Sequence, residues 1–276
     1  MKDLEKILIL GSSGMVGSAV TKYLAESKSF SVIPINAKLK TKKDITEVIK
    51  KNAPLNFIIN CIGKLKDSKN YEENYKIPNQ LEALASKYSF KLIHISTDDV
   101  FNSNLGPVNE EQIPNPVGSY GISKLKGETK SSNAISIRTS FLGFDNRKHR
   151  GLIEFLLKNN NKKVQGYENQ IWSGCTTLQF AKLCEYLIKD ANFQKIRKES
   201  NVIHFAPLGP IDKYHLLLSI SMALNLSTII EKGVAEEEVT RYLSSLIFDR
   251  KFYQRYTTQI NKAIVELLEF QKMSYE

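Results

Sequence analysis

The feature that most constrains the fold is a glycine-rich segment near the N-terminus, Gly11–Gly17, which reads G-x-x-G-x-x-G and directly follows an apolar run. The run, residues 6–10, is short and nearly continuous, which predicts a strand buried on both faces of a parallel sheet. Residues 17–27 carry apolar side chains at helical spacing. In such a strand–turn–helix unit the glycines permit a tight turn, close approach of a pyrophosphate, and close helix packing. The segment therefore predicts a dinucleotide-binding turn, with a ligand-free structural turn as the alternative.

Strand and helix patterns alternate along the first half of the chain. The predicted strands after the first are 31–35, 56–62, 91–96 and 134–138, and the predicted helices are 45–51, 74–88 and 119–130. The second half is less regular, with helices predicted at 152–158, 178–190, 214–224 and 263–271 and a strand at 202–205. Alternation of this kind is typical of a doubly wound parallel sheet. We therefore predict an α/β fold: a Rossmann-type doubly wound parallel sheet with a smaller, interleaved C-terminal substrate lobe.

The length of 276 residues is enough for one large α/β domain with such a lobe. We expect residues 1–145 to form the dinucleotide-binding core, with residues 172–205 returning to it. Residues 146–171 and 206–276 are then expected to form the substrate-binding lobe.

Composition limits the partners. The formal net charge is +10, but the lysines are scattered and form no basic arm or nucleic-acid motif, so nucleic acid is not an expected partner. The apolar run at the N-terminus is too short for a signal sequence or a membrane span, which favours a cytoplasmic protein without a membrane partner. The three cysteines have no metal-ligand spacing and give no disulfide framework, so no metal site is expected.

Residues at the ends of the first and third predicted strands are the candidates for binding the dinucleotide: Gly11, Ser13, Gly14, Met15, Val16, Cys61, Ile62 and Gly63. After the second strand, an acidic residue would bind the ribose hydroxyls of NAD. The sequence has Lys38 and Lys40 in this region, and either could pair with the 2′-phosphate of NADP, unless both are solvated surface lysines. We therefore expect NADP(H), with NAD(H) as the alternative. Asp44 and Ile45 are candidates for the adenine edge.

A catalytic set is predicted around Tyr120-x-x-x-Lys124. Residues four apart lie on one face of a helix, so both side chains can reach one ligand. Free tyrosine has a pKa near ~10, and a neighbouring ammonium lowers it by favouring the phenolate. Thr97 follows the fourth predicted strand, and ligands of parallel sheets bind at that end of the strands. We predict Thr97, Tyr120 and Lys124 as catalytic residues, with Tyr120 and Lys124 also contacting the cofactor.

Longer motifs around these residues resemble the extended short-chain dehydrogenase/reductase superfamily. They are most similar to the dTDP-4-dehydrorhamnose reductases and related nucleotide-sugar reductases. The motifs are Ser96-Thr97-Asp98-x-Val100-Phe101, Pro116-x-x-x-Tyr120-Gly121-x-x-Lys124-x-x-Gly127-Glu128, Ile137-Arg138-Thr139-Ser140 and Asn169-Gln170-x-x-Ser173-Gly174-x-Thr176. The resemblance implies NADP-dependent reduction of the 4-keto group of a nucleotide-activated 6-deoxy sugar, for deoxysugar and surface-glycan synthesis.

Three positions depart from that pattern. Asp99 stands where the rhamnose reductases usually carry tyrosine, Gly118 stands where many relatives carry asparagine, and Trp172 is unusually bulky. The nucleotide-sugar substrate is expected to contact Asp98, Asp99, Val100, Thr139, His149 and Trp172. For three of these, structural roles are the alternative: lining the pocket for Asp99, solvated surface for His149, and core packing for Trp172.

Two other functions stay open at this stage. The carboxylates at positions 98 and 99 could serve a nucleotide-sugar epimerase or dehydratase with a bound nicotinamide. The superfamily also includes a non-catalytic partner of methionine adenosyltransferase, so a regulatory NADP-binding subunit is a further alternative. A homodimer is a candidate assembly.

Overall fold

The computed structural model describes residues 4–39, 41–103, 105–145, 147 and 149–272. It divides into two compact units. The first unit comprises Met1–Phe101, Ile113–Arg138 and Phe180–Ile203, and the second comprises Asn102–Gln112, Thr139–Gln179 and His204–Glu276. Lys40, one of the two lysines considered for NADP, lies outside the described residues.

Strands and helices alternate through the first part of the chain. They are β1 (Glu5–Leu10), α1 (Met15–Glu26), β2 (Phe30–Ile35), α2 (Lys42–Asn52), β3 (Phe57–Asn60), α3 (Glu73–Tyr88), β4 (Lys91–Ile95), a 3₁₀ turn (Asp98–Val100), α4 (Ser119–Lys126) and β5 (Ala134–Arg138).

Shorter elements make up the rest of the chain. They are β6 (Phe141–Leu142), α5 (Leu152–Lys158), β7 (Lys163–Tyr167), β8 (Gln170–Trp172), β9 (Cys175–Thr176), α6 (Thr177–Ile188), α7 (Asn192–Glu199), β10 (Val202–His204), β11 (Ile211–Asp212), α8 (Lys213–Ala223), β12 (Ile229–Gly233), β13 (Val239–Arg241), α9 (Arg250–Tyr253) and α10 (Ile260–Lys272).

A six-stranded sheet in the order β10-β5-β4-β3-β1-β2 organises the first unit. The pairs that join β1 to β5 are parallel. The chain passes from β1 outward to β2 and then returns to the other side of β1 with β3. The strand order therefore reverses between β1 and β3, which is where open α/β sheets bind ligands. The predicted Rossmann-like α/β fold is confirmed.

The strand register aligns the chemically interesting segments along one edge of this sheet. Leu10 is paired with Asn60, Asn60 with His94, and Ile95 with Ile137. The glycine turn, residues 61–63 and residues 96–97 therefore all leave the sheet at the same edge. One face of the sheet is covered by α2 and α3, whose apolar side chains form a buried core with the strands.

Helix α4 ends at Lys126, four residues before the predicted end. Gly127 caps it, and a side chain at this position would place its Cβ 2.1 Å from the backbone oxygen of Asn74 on α3. The close approach of the two helices thus requires glycine where the sequence pattern suggested one more helical turn.

The second unit contains small sheets only, in the orders β11-β8-β13, β12-β7 and β6-β9. Within the described part of the chain, none of the helices has both the length and the apolar character that crossing a membrane demands.

Candidate active site

The glycine turn is built around close backbone contacts. Gly11 has a φ of 73° and donates its N–H to the carbonyl of Ile35 on β2, at 3.1 Å. A Cβ on Gly17 would lie 2.1 Å from the Gly11 oxygen, so only glycine lets α1 start this close to the turn. Gly14 is the N-cap of α1 and provides no side-chain cap, and the first turn carries no acidic residue. The first N–H groups of α1, at Met15 and Val16, therefore suit an anion.

The region after β2 contributes one contact that the sequence did not predict. The Ser13 hydroxyl donates to the side-chain oxygen of Asn36, the first residue after β2. Lys38 is exposed to solvent. Asp44 forms a capping box with Thr41 at the start of α2, and Ile45 is buried in the core behind it. The structure thus gives Asp44 and Ile45 local structural roles, and their contact with adenine stays a prediction.

Residues 60–63 form the wall opposite the glycine turn. A Cβ on Gly11 would lie 3.1 Å from the Cys61 backbone and from Ile62, which shows how closely the two segments approach. The Ile62 N–H donates to the Asn60 side chain at 3.1 Å. Burial raises the pKa of the Cys61 thiol to about 12, although Lys124 opposes the shift, so the thiol is protonated at neutral pH. A Cβ on Gly63 would lie 3.8 Å from Lys124 Nζ.

Thr97 and the two aspartates form the 3₁₀ turn after β4. The Thr97 hydroxyl donates to Asp98 Oδ1 at 3.1 Å and accepts the Asp99 N–H at 3.3 Å. Val100 is fully buried. Asp99 forms an ion pair with Lys66, at 2.5 Å between Nζ and Oδ2. The sequence gave no signal for this pair because Lys66 lies in an aperiodic connection.

Helix α4 carries Tyr120 and Lys124 beside this turn. Gly121 packs so closely on the turn that a Cβ would lie 2.1 Å from the Asp99 oxygen. Lys124 is buried, and its Nζ donates to the Ile95 carbonyl at the end of β4, at 2.5 Å. Burial lowers the pKa of Lys124 to about 8, while Glu128 and Cys61 partly oppose the shift. The structure thus brings Thr97, Tyr120 and Lys124 to neighbouring elements of the first unit.

The connection between β3 and α3, residues 61–72, is tied to α4 at several points. The Tyr71 ring meets the Tyr120 ring edge-on, with centroids 6.1 Å apart, and its hydroxyl donates to the Lys66 carbonyl. The buried Asn74 side chain accepts the Lys64 N–H at 2.6 Å and donates to the Ser123 hydroxyl at 3.0 Å. Tyr71 and Asn74 were not predicted as site residues, yet they support the helix that carries Tyr120.

The predicted substrate residues of the second unit lie apart from one another in the chain and have local partners. Thr139 is buried, with its hydroxyl 3.3 Å from the Cys175 thiol. His149 is exposed and lies 3.4 Å from Glu154. The Trp172 indole donates to the Ser140 hydroxyl at 2.8 Å. Their contact with a substrate stays a prediction.

Comparisons with known proteins agree with this architecture. The RmlD substrate binding domain family matches residues 5–242. The dTDP-4-dehydrorhamnose reductase of Aggregatibacter actinomycetemcomitans is 30% identical over 152 residues, which cover 50% of this chain and 52% of that protein. Methionine adenosyltransferase 2 subunit beta of Bos taurus is 28% identical over 138 residues, or 45% of this chain and 41% of that protein. The chain thus matches about half the length of these curated relatives.

Among solved structures, the dTDP-4-dehydrorhamnose reductase of Bacillus anthracis in complex with NADP superimposes with a TM-score of 0.79. The match covers 98% of this chain and 99% of that chain at 16% identity. At this level of identity the likeness establishes the shared fold.

Proposed function

The chain belongs to the RmlD substrate-binding domain family, and from this premise we propose that it uses NADPH to reduce the 4-keto group of a nucleotide-activated 6-deoxy sugar. The reaction would serve deoxysugar and surface-glycan synthesis. The observation that carries the proposal is the grouping of Thr97, Tyr120 and Lys124 at the ligand-binding edge of the sheet, through the contacts of α4 with the 3₁₀ turn and with β4.

The residues of the glycine turn fit a dinucleotide. Three glycines leave the backbone bare, and the uncapped start of α1 offers N–H groups to a pyrophosphate. Lys38 is placed after β2, where it would reach the 2′-phosphate that distinguishes NADP. When bound, the cofactor would supply the hydride.

The side chains of the catalytic set would then manage the proton. Tyr120 would donate its phenolic proton to the oxygen of the reduced carbonyl. The Lys124 ammonium would favour the phenolate that remains. Thr97 would turn its hydroxyl from Asp98 toward the substrate carbonyl and orient it. Residues 146–171 and 206–276 would supply the substrate lobe, with Thr139, His149 and Trp172 as its candidate contacts.

The direct test is an assay with NADPH and dTDP-, UDP- and GDP-linked 4-keto-6-deoxy sugars, followed by loss of reduced-nicotinamide absorbance and identification of the product. We expect stoichiometric consumption of NADPH with at least one of the three. Interconversion of the sugars without net consumption would identify an epimerase or dehydratase instead, and would direct attention to Asp98 and Asp99.

A second candidate is a non-catalytic regulatory subunit, which the similarity to methionine adenosyltransferase 2 subunit beta supports. No turnover on the sugar panel, together with tight binding to a methionine adenosyltransferase catalytic subunit, would favour it. The presence of Tyr120 and Lys124 on one helix favours the reductase.

A further inference from the structure

Glu128 lies just after α4, one turn beyond Lys124, and is held by three hydrogen bonds. It accepts Arg138 Nε at 2.7 Å, Arg138 Nη2 at 2.8 Å, and the Ser96 hydroxyl at 2.7 Å. Two parallel bonds from one guanidinium are the strongest and most directional form of such a pair. Because Ser96 precedes Thr97 and Arg138 ends β5, the carboxylate joins the ends of two strands to the catalytic helix.

The pair is almost completely withdrawn from water. Glu128 is 9% exposed, and Arg138 and Lys124 are each 4% exposed. A buried ion pair seldom adds stability over an apolar pair of similar shape, because both charges lose their hydration. The location of Glu128, beside a third buried charge, therefore calls for a reason other than stability.

The surroundings of Lys124 contain few groups that could balance its charge. Cys61 faces it from the end of β3 with a protonated thiol. His94 faces it from β4, and burial together with the charge of Lys124 holds the pKa of His94 well below its ordinary value, so it is neutral. Tyr120 lies one turn earlier on α4. Glu128 is the ionised carboxylate that acts on Lys124 among these groups.

We propose that Glu128 is a positioning residue of the site: anchored by Arg138 and Ser96, it holds Lys124 at the end of β4 and keeps its side chain an ammonium at neutral pH. The role of that ammonium in turnover rests on the proposed function, but its charge state does not. Arg138 has the opposite effect on Lys124, because its guanidinium partly cancels the field of Glu128.

The two partners can be separated by isosteric variants of opposite expected sign. Glu128→Gln removes the carboxylate charge and leaves a buried guanidinium, so we expect the pKa of Lys124 to fall by about one unit or more. Arg138→Gln leaves Glu128 uncancelled, so we expect that pKa to rise. Glu82→Gln is the matched control, because Glu82 bonds to the Lys130 and Ser131 N–H groups and is not among the groups that act on Lys124.

The measurement is the titration of Lys124 by NMR of protein labelled with ¹³C at the lysine Cε, with Lys124→Arg used to assign its signal. A purely structural role predicts the same direction for both variants, since loosened packing admits water and raises the pKa of Lys124. An unchanged or raised value in folded Glu128→Gln would therefore overturn the proposal. Should Glu128→Gln not fold, Arg138→Gln decides, and an unchanged or lowered value there overturns it.

Activity provides the second measurement. In Glu128→Gln we expect kcat at neutral pH to fall about ten-fold and to recover at lower pH, where Lys124 is protonated again. Absence of sugar reduction by the wild-type protein, with the NMR shifts as expected, would reject the proposed function and leave the role of Glu128 standing.

Discussion

The two parts of the candidate site in the first unit are built in opposite ways. The glycine turn presents backbone groups in a space that no side chain may enter, and the first turn of α1 carries no acidic residue. The end of α4 instead concentrates three buried charges, on Lys124, Glu128 and Arg138. The difference teaches that the first part should respond to the volume of a substituent, whereas the second should respond to its charge at constant volume.

The largest expected effect is at Tyr120, where the comparison can be broken most plainly. Tyr120→Phe keeps the ring and removes the proton donor, so we expect kcat to fall about 10³-fold while the Kd for NADPH stays unchanged. Steady-state kinetics and fluorescence titration of NADPH measure the two quantities. Near-normal turnover in this variant would remove Tyr120 from the mechanism.

The glycine turn should instead fail by collision. Gly17→Ala places a Cβ 2.1 Å from the Gly11 oxygen, which we expect to cost about 1–3 kcal/mol of folding free energy and to weaken NADPH binding. Gly14→Ala is the matched control, since its Cβ would lie 3.4 Å from the same oxygen. Urea unfolding of both variants tests the contrast, and equal stability of the two would contradict it.

The charge-based part should show a pH dependence that the glycine turn lacks. The pKa of Lys124 is lowered from 10.5 to about 8, so we expect kcat/KM to decline above about pH 8 as the ammonium is lost. Stability should change in the other direction. The unfolded chain holds this proton up to a higher pH, so the cost of the buried ammonium is relieved as pH rises from about 8 to 10.5.

Lys124→Met is the variant that isolates this contribution. The rise in the free energy of unfolding between those two pH values should be smaller in Lys124→Met than in the wild-type protein. Identical profiles for the two proteins would show that Lys124 titrates normally.

The smallest expected effect concerns cofactor choice. Lys38 is exposed, and a solvated ion pair is worth up to ~1 kcal/mol, so Lys38→Ala should raise the KM for NADPH about five-fold and leave that for NADH unchanged. Lys51→Ala, another exposed lysine near the end of α2, is the control. Parallel changes for both cofactors would assign Lys38 to the surface.

The same contrast explains how far the sequence leads. The apolar run before Gly11 and the glycine spacing are local signals, so β1, α1 and the turn follow from them. The Lys66–Asp99 pair and the Tyr71–Tyr120 contact join segments without periodic patterns, and tertiary packing alone brings them together. Asp44 shows the reverse error in emphasis, because an acidic residue three positions after Thr41 also signals a helix cap, which is what it forms.

The short strands of the second unit were missed for a related reason. β6, β9 and β11 contain two residues each, and alternation cannot be detected over so short a stretch. Glu128 was visible only as part of a longer motif. Its spacing of four from Lys124 could have indicated a helical charge pair, but its bonds to Arg138 and Ser96 depend on the sheet.

The central claim is that residues of α4 and the 3₁₀ turn direct a hydride to the C4 carbonyl of a nucleotide-linked 6-deoxy sugar. Incubation of the protein with deuterated NADPH and the 4-keto sugars, followed by NMR of the product, tests this directly. We expect deuterium at C4 of the product, one per NADPH oxidised, and none with Tyr120→Phe. A converted sugar without deuterium and without NADPH oxidation would contradict the account.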